Sequence, residues 1–332
     1  MRLLVTGAAG FIGSNFVHYW LERHPGDELV ALDLLTYAGN RANLEAVEDR
    51  ITFVHGDIAD LDGNQRLLDE HEVEVIVNFA AESNNSLAVI DPGLFARTNV
   101  LGTQLLLEAA RRAGVRRFHH VSTCEVYGDL PLDSAESFTE QTPYRPRTPY
   151  NASKAAADHY VCAYHETFDV PISITNCSNN YGPYQFPEKV IPLFVTNALD
   201  DRELPMYAST QNKREWLHAR DHCRAIELVL ESGRVGETYN VGSGVEASIE
   251  EIADLVLELT GKPDSLKTIV PDRPGHDRRY LLDSSKLRHK LGWEPEIAWG
   301  DGLRETVEWY AASRDWWEPL KARAPVEETA WR

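Results

Sequence analysis

Three glycines, at positions 7, 10 and 13, constrain this chain more than any other feature. They lie in Thr6-Gly7-Ala8-Ala9-Gly10-Phe11-Ile12-Gly13, between an apolar run at residues 2–5 and a helical pattern over residues 14–24. Strand, glycine turn and helix in that order open a βαβ unit. The glycines permit the tight turn, the close approach of backbone to a pyrophosphate, and close packing of helix on strand. The helix N-terminus turns its free N–H groups toward the phosphates. Glycines alone can be mere turn residues, but this placement makes Gly7, Gly10, Phe11, Ile12 and Gly13 candidate contacts to a dinucleotide.

The pattern continues as an α/β chain. Residues 28–32 read as a strand ending in Asp33, 20 residues beyond Gly13. A carboxylate there accepts from ribose hydroxyls and repels a 2′-phosphate, so the cofactor reads as NAD rather than NADP. Residues 51–54 form a third strand, with Asp57 and Ile58 placed to meet the adenine. Residues 73–79 form a fourth, leading into Ala80 and Ala81, small enough for close cofactor approach or simply for packing. Helical spacing over residues 94–114, a strand at 117–121, a helix from 150 to 168 and a strand at 171–176 complete the unit. The expected fold is a Rossmann-type doubly wound parallel sheet over residues 1–180, completed by segments returning at about 215–240. A smaller C-terminal α/β substrate domain spans 181–320, and 321–332 read as a loose tail. The two long helices either cover the sheet or pair across a homodimer as a four-helix bundle.

Polar residues fall where such sheets bind ligands, at a strand's C-terminal end. Val121-Ser122-Thr123-Cys124-Glu125 ends one strand, and Tyr150-Asn151-Ala152-Ser153-Lys154 opens the next helix. Tyr150 and Lys154, at i and i+4, share a helix face. An ammonium beside the phenol favours the phenolate, a base able to take an alcohol proton, and Thr123 or Ser122 can bond the same oxygen. On an arbitrary helix such a pair would be a surface contact worth a few tenths of a kcal/mol. Behind a nucleotide-binding turn it reads as catalytic.

Charge and cysteines narrow the function. A net charge of −19 argues against nucleic-acid binding. No apolar run approaches a membrane span, and the N-terminus shows no basic segment with a cleavage site, so a cytoplasmic protein is expected. The four cysteines show no metal spacing, so neither a metal nor a disulfide is expected, and Cys162 and Cys223 read as small core residues. Against the acidic background stands Asp272-Arg273-Pro274-Gly275-His276-Asp277-Arg278-Arg279-Tyr280. Three arginines in one loop suggest a diphosphate clamp, since Arg binds phosphate bidentately; a solvated charge run is the plain alternative. The turn-rich stretch from Asn179 to Lys189 suits capture of a sugar and a base.

Together these residues resemble the extended short-chain dehydrogenase/reductase superfamily and, within it, the nucleoside-diphosphate-sugar 4,6-dehydratases, closest to the dTDP-glucose branch. The marks are the stretches 6–13, 35–40, 178–189 and 272–280, and the likeness runs to about residue 317. The resemblance implies that Tyr150, beside Lys154 and NAD, takes the C4 hydroxyl proton as the C4 hydride leaves. It implies that Glu125 removes the C5 proton, that the preceding residue is the acid for the C6 hydroxyl, and that hydride returns to C6. It assigns the dTDP- or UDP-hexose to Ser83, Asn84, Asn179 and Lys189, to Arg214 and Asn240, and to Arg273, His276, Arg279 and Tyr280.

The chain departs from that pattern in three places. Where the family has Thr-Asp-Glu it has Thr123-Cys124-Glu125, and a thiol is a less tested acid than a carboxyl. Where the family has Glu-Ser-His-Val-Asp-Arg-Ser it has Glu82-Ser83-Asn84-Asn85-Ser86-Leu87-Ala88, and Asn176 replaces an Arg. The changes reflect either drift with unchanged chemistry or a diverted outcome: a 5,6-ene, or C4 or C5 epimerisation. A UDP-glucuronate decarboxylase and a catalytically silent NAD-binding scaffold are the remaining readings. The intact Thr123, Tyr150 and Lys154 argue against the scaffold.

Overall fold

The computed structural model describes residues 1–324. Strand β1 (Arg2–Thr6) runs into the glycine turn, and helix α1 (Phe11–Arg23) starts inside it, with Gly10 as N-cap. Gly7 holds φ at +63°, and a Cβ there would fall 2.7 Å from the Ala80 nitrogen. At Gly13 a Cβ would fall 2.1 Å from the Gly7 carbonyl oxygen. Neither position accepts a side chain without moving backbone.

Five parallel strands follow: β2 (Glu28–Asp33), β3 (Thr52–His55), β4 (Val75–Asn78), β5 (Arg117–Thr123) and β6 (Ile172–Cys177). After them come β7 (Asn179–Tyr181), β8 (Leu204–Tyr207), β9 (Lys213–His218), β10 (Thr238–Val241), β11 (Glu246–Ser248) and β12 (Lys267–Val270). The main sheet has the order β10-β6-β5-β4-β1-β2-β3, every pair parallel. In register, Val5 lies between Ala31 and Val77. Such strands are apolar on both faces because helices cover both, which is why they read as continuous hydrophobic runs. Strand order reverses between β1 and β4, and a crevice opens there at the strands' C-terminal ends.

The helices follow the same logic. Helix α2 (Leu61–Glu70) packs on one face of the sheet. Helices α3 (Asn85–Ile90) and α4 (Pro92–Phe95) lead through a π-helical stretch, Ala96–Gly102, into α5 (Thr103–Ala113), which closes on a left-handed Gly114. Asn99 in the π stretch holds both the N–H and the carbonyl of Glu82. Helix α6 (Pro149–Phe168) begins at an N-cap Thr148 whose hydroxyl accepts from the Asn151 N–H, with Pro149 in the first turn. That cap sets Tyr150 and Lys154 in the first two turns, over the end of β5.

Helices α7 (Val190–Leu199), α8 (Ala219–Ser232), α9 (Ile249–Thr260), α10 (Ser285–Leu291), α11 (Trp299–Ala312) and α12 (Arg314–Lys321) belong to the second half of the chain. There α7, α9 and α11 share a core with two small sheets, β11-β9-β7 and β12-β8. Helix α8 packs back against α1, and β10 completes the main sheet. Helix α12 buries Trp317, while Trp316 donates to the Asn43 side chain at 2.8 Å. Just beyond it, Arg323 donates to the carbonyls of Thr36 and Gly39, both at 3.3 Å. Of the expected loose tail, 321–332, Lys321 closes α12, and residues 325–332 lie outside the described residues.

All four cysteines are free. Cys223 is buried as expected, but Cys162 is exposed on the outer face of α6. That helix carries alanines on nearly every side, so its apolar periodicity does not mark the buried face. No helix among the described residues is long and apolar enough to cross a membrane.

Candidate active site

The glycine turn, Asp33, Asp57, Ile58, Ala80, Ala81, Tyr150 and Lys154 line one crevice. Asp33 braces the turn from beneath: its carboxylate accepts from the Ala9 N–H at 2.9 Å and the Leu35 N–H at 2.7 Å. Burial raises its pKa, and the two backbone donors oppose that rise. Asp57 pairs with Arg97 at 2.8 Å, at the end of the crevice remote from Tyr150. These residues fit NAD. They offer a cradle that no Cβ could share, a helix N-terminus without an acidic first turn, and a carboxylate where a ribose would lie. The sequence reading missed Thr36 and Tyr37 as further walls of the crevice.

At the base of the crevice the end of β5 separates Ser122 from Thr123. Ser122 donates to buried Asp158 at 2.9 Å, so Thr123 is left as the partner for a substrate oxygen. The Thr123 hydroxyl also accepts from the Glu125 N–H at 3.3 Å, capping the short turn that presents Glu125.

Lys154 corrects the simple expectation. Its ammonium donates to the Val121 carbonyl at 2.9 Å and lies 3.3 Å from His120 Nε2. Burial lowers its pKa, and Asp158 opposes that. Asp158 is itself raised to about 6 by burial, with Lys154 and the hydroxyls of Ser122 and Tyr144 opposing. Tyr150 is not pushed down by its lysine. Burial, then Glu125, hold the phenol well above 10, and only the Thr123 hydrogen bond eases it. His120 and Asp158 were missed by the sequence reading; the one signal was an acid at i+4 from Lys154.

A second cleft continues from the first, and Ser83, Glu125, Asn179 and Lys189 line both. Asn84 donates to Glu188 at 2.7 Å, Tyr37 donates to the other oxygen of Glu188 at 2.6 Å, and Lys189 reaches the Ser83 carbonyl at 2.9 Å. This network fastens the cofactor crevice to the substrate cleft. Arg214, Arg273, His276 and Tyr280 stand on its far wall. Arg214 is anchored to the Asp277 carbonyl at 2.7 Å. One Arg273 nitrogen, Nη1, is buried and meets no acceptor among the described residues. Burial, with Arg214 and Arg273 nearby, lowers His276 to about 4, so the imidazole is neutral.

Two expected substrate contacts stand elsewhere. Arg279 is locked to Glu246 at 2.8 Å and to the Ser134 carbonyl at 2.7 Å, and Arg278 pairs with Asp129 at 2.7 Å. The loop therefore lends one arginine to the cleft, not three, and the second comes from β9. Asn240 is fully buried, donating to the Phe138 carbonyl at 2.9 Å and accepting from Tyr127 at 2.8 Å. It holds a wall and lines no cleft.

Cys124 is the largest correction. The thiol expected as an acid is 1% exposed, packed with Val126, Leu130, Phe138 and Leu282, and lines neither cleft. Burial pushes it well above 9. Glu125 does face the cleft, and its Oε2 accepts from Asn85 Nδ2 at 3.0 Å and lies 3.5 Å from the Tyr280 hydroxyl. Asn85, in the segment from Glu82 to Ala88, was missed.

A dinucleotide crevice at the switch point of a parallel sheet, with Thr123, Tyr150 and Lys154 at its base, defines an extended short-chain dehydrogenase/reductase. Within that class the chain belongs to the nucleotide-sugar 4,6-dehydratases, its residues 4–306 matching the family described as GDP-mannose 4,6 dehydratase. It is 48% identical to a dTDP-glucose 4,6-dehydratase of Streptomyces niveus, over 99% of this chain and 98% of that one. DesIV, a dTDP-glucose 4,6-dehydratase of Streptomyces venezuelae solved with NAD bound, superposes with a TM-score of 0.93 at 51% identity, over 96% of this chain and all of DesIV. A UDP-glucose 4-epimerase of Thermotoga maritima also superposes, with a TM-score of 0.88 at 29% identity, over 95% of this chain and all of that one. The fold alone therefore does not choose between dehydration and epimerisation.

Proposed function

We propose that this protein converts a dTDP-hexose, dTDP-glucose first among them, into the 4-keto-6-deoxy sugar by an NAD-dependent 4,6-dehydration. One observation carries the reading: Glu125 stands in the catalytic cleft, bonded to Asn85, where both halves of the cleft meet. Epimerisation at C4 needs no base for C5; dehydration does. Bound NAD would accept the C4 hydride and return it to C6. Tyr150 takes the C4 hydroxyl proton, with Thr123 holding the same oxygen. The ketone at C4 acidifies the C5 proton, and Glu125 removes it. Arg214 and Arg273 hold the diphosphate, drawing an anion into a protein whose overall charge repels it.

The test is an NMR time course with dTDP-glucose, UDP-glucose and UDP-N-acetylglucosamine tried separately. A 6-methyl doublet with a 4-keto or hydrated-ketone signal is expected from dTDP-glucose. Vinylic 5,6-ene protons, or an altered C4 coupling with no methyl signal, would overturn the reading.

We also infer a homodimer through α5 and α6; α6 leaves Tyr160 and Phe168 about half exposed, and the π-helical stretch that runs into α5 does the same for Leu101. Light scattering at the monomer mass would exclude it. The four free cysteines accord with a cytoplasmic setting.

A further inference from the structure

Dehydration, on which this inference rests, needs a proton for the departing C6 hydroxyl, and Cys124 does not line the cleft. On the substrate side Glu125 Oε2 is met by Asn85, an amide with no proton to give, and by Tyr280. The Tyr280 hydroxyl is hydrogen-bonded to Asp277 Oδ2, and the ring lines the cleft beside Arg214. Burial, then Glu125, hold the Tyr280 phenol well above 10, and the Arg214 guanidinium, 4.6 Å from the ring centroid, opposes that rise. Asp277 is fully buried. Asn151 Nδ2 reaches its Oδ2 at 3.4 Å, and Arg147 Nη1 lies 3.2 Å from its Oδ1. Burial, with Glu125, raises the Asp277 carboxyl, opposed first by the hydrogen bond that Tyr280 donates to it and then by Arg214 and Arg147, so a proton is held there more readily than on an ordinary aspartate.

We propose that Tyr280 donates the proton to the leaving C6 hydroxyl and that Asp277 resupplies it. Glu125 takes the C5 proton as the C5–C6 double bond forms. The C6–O bond breaks, and its electron pair takes the Tyr280 proton, releasing water. The Asp277 carboxyl proton passes to the Tyr280 oxygen. Glu125 gives a proton back to C5 later in the cycle, so it ends unchanged. One turnover leaves Tyr150 with the proton from the C4 hydroxyl and Asp277 one proton short. Glu125, 3.5 Å from the Tyr280 hydroxyl and near enough to Tyr150 to raise its phenol, carries the proton across.

The experiment compares full-length wild type, Tyr280→Phe and Asp277→Asn on dTDP-glucose and on its 6-deoxy-6-fluoro analogue. Fluoride leaves without prior protonation. With dTDP-glucose, Tyr280→Phe is expected to lose roughly 100-fold in kcat, the scale of one general acid. Its KM should hold, and reduced cofactor should accumulate at 340 nm because C4 oxidation still runs. With the fluoro analogue, kcat should return to within a few-fold of wild type, and Asp277→Asn should show a smaller loss with the same rescue. Equal loss on both substrates, or full activity with dTDP-glucose, would overturn the proposal. So would a fluoride-rescued loss in Cys124→Ala. If wild type itself yields no 4-keto product, the dehydratase reading has failed instead.

Discussion

At the cofactor end of the cleft the fixed features belong to the main chain: a glycine turn, the N-terminus of α1, and Asp33 bonded to two backbone N–H groups. At the substrate end they are side chains from distant segments, with Arg214 on β9, Arg273 and Tyr280 on one loop, and Asn85 on α3. The first kind of site is set by sterics, so a single methyl breaks it. The second is set by which charges and hydrogen bonds face one another, so it can exchange partners and survive. The glycine turn holds all three of its glycines, and the resemblance drawn from the sequence puts its departures elsewhere, at 84–88, 124 and 176.

Tyr150 stands where the two ends meet, and Tyr150→Phe should have the largest effect. A loss of roughly 1,000-fold in kcat is expected, with NAD and dTDP binding unchanged by calorimetry. Weakened binding of either ligand would mean that the two ends are not separable. Next comes Gly13→Ala, which places a methyl 2.1 Å from the Gly7 oxygen. Overpacking of about 1–3 kcal/mol should weaken NAD by 10- to 100-fold; the check is NAD titration beside dTDP titration, and dTDP affinity should hold.

Arg273→Ala should do the converse, raising KM by about 10-fold for loss of one charge-assisted contact, with kcat within a few-fold. An equal fall in kcat would move Arg273 into the chemistry. The smallest effect is on stability. Glu215, fully buried below the substrate end, is raised from 4.5 to about 7 by burial. Its folded pKa exceeds the unfolded one, so the native state holds the extra proton across that window and stability is lost as pH rises through it. The melting temperature should fall by a few degrees between those pH values, and Glu215→Gln should flatten the slope.

The sheet and the glycine turn were legible because both follow from local patterns. Strands buried on two faces appear as apolar runs, and the turn needs glycine wherever it occurs. Strand β7 was not legible: Asn179-Asn180-Tyr181 is polar and sits within a turn-rich stretch, and it pairs with β9 more than 30 residues ahead. The site was legible by residue type and not by direction. Cys124 and Glu125 are adjacent, and the short turn after β5 sends one into the apolar cluster and the other into the cleft. Arg273 and Arg279 read alike until Glu246 claims the second from another strand. Asn85 and Asp277 lie inside stretches that the sequence singles out, but only their contacts with Glu125 and Tyr280 mark them as parts of the site.

The reach of α12 and Arg323 back to Asn43, Thr36 and Gly39 bears on the order of events during synthesis. The strands and turn of the cofactor crevice leave the ribosome first, and domains can begin folding as they emerge. Yet Thr36 and Gly39 line that crevice, and Arg323 donates to both carbonyls, joining the Gly39 N–H on the carbonyl of Thr36. The nascent chain can shape the crevice early but cannot brace its rim until α12 and Arg323 have emerged. A proteolytic nick before α12 is therefore expected to loosen NAD, although the rim residues it releases lie some 280 positions away in the chain.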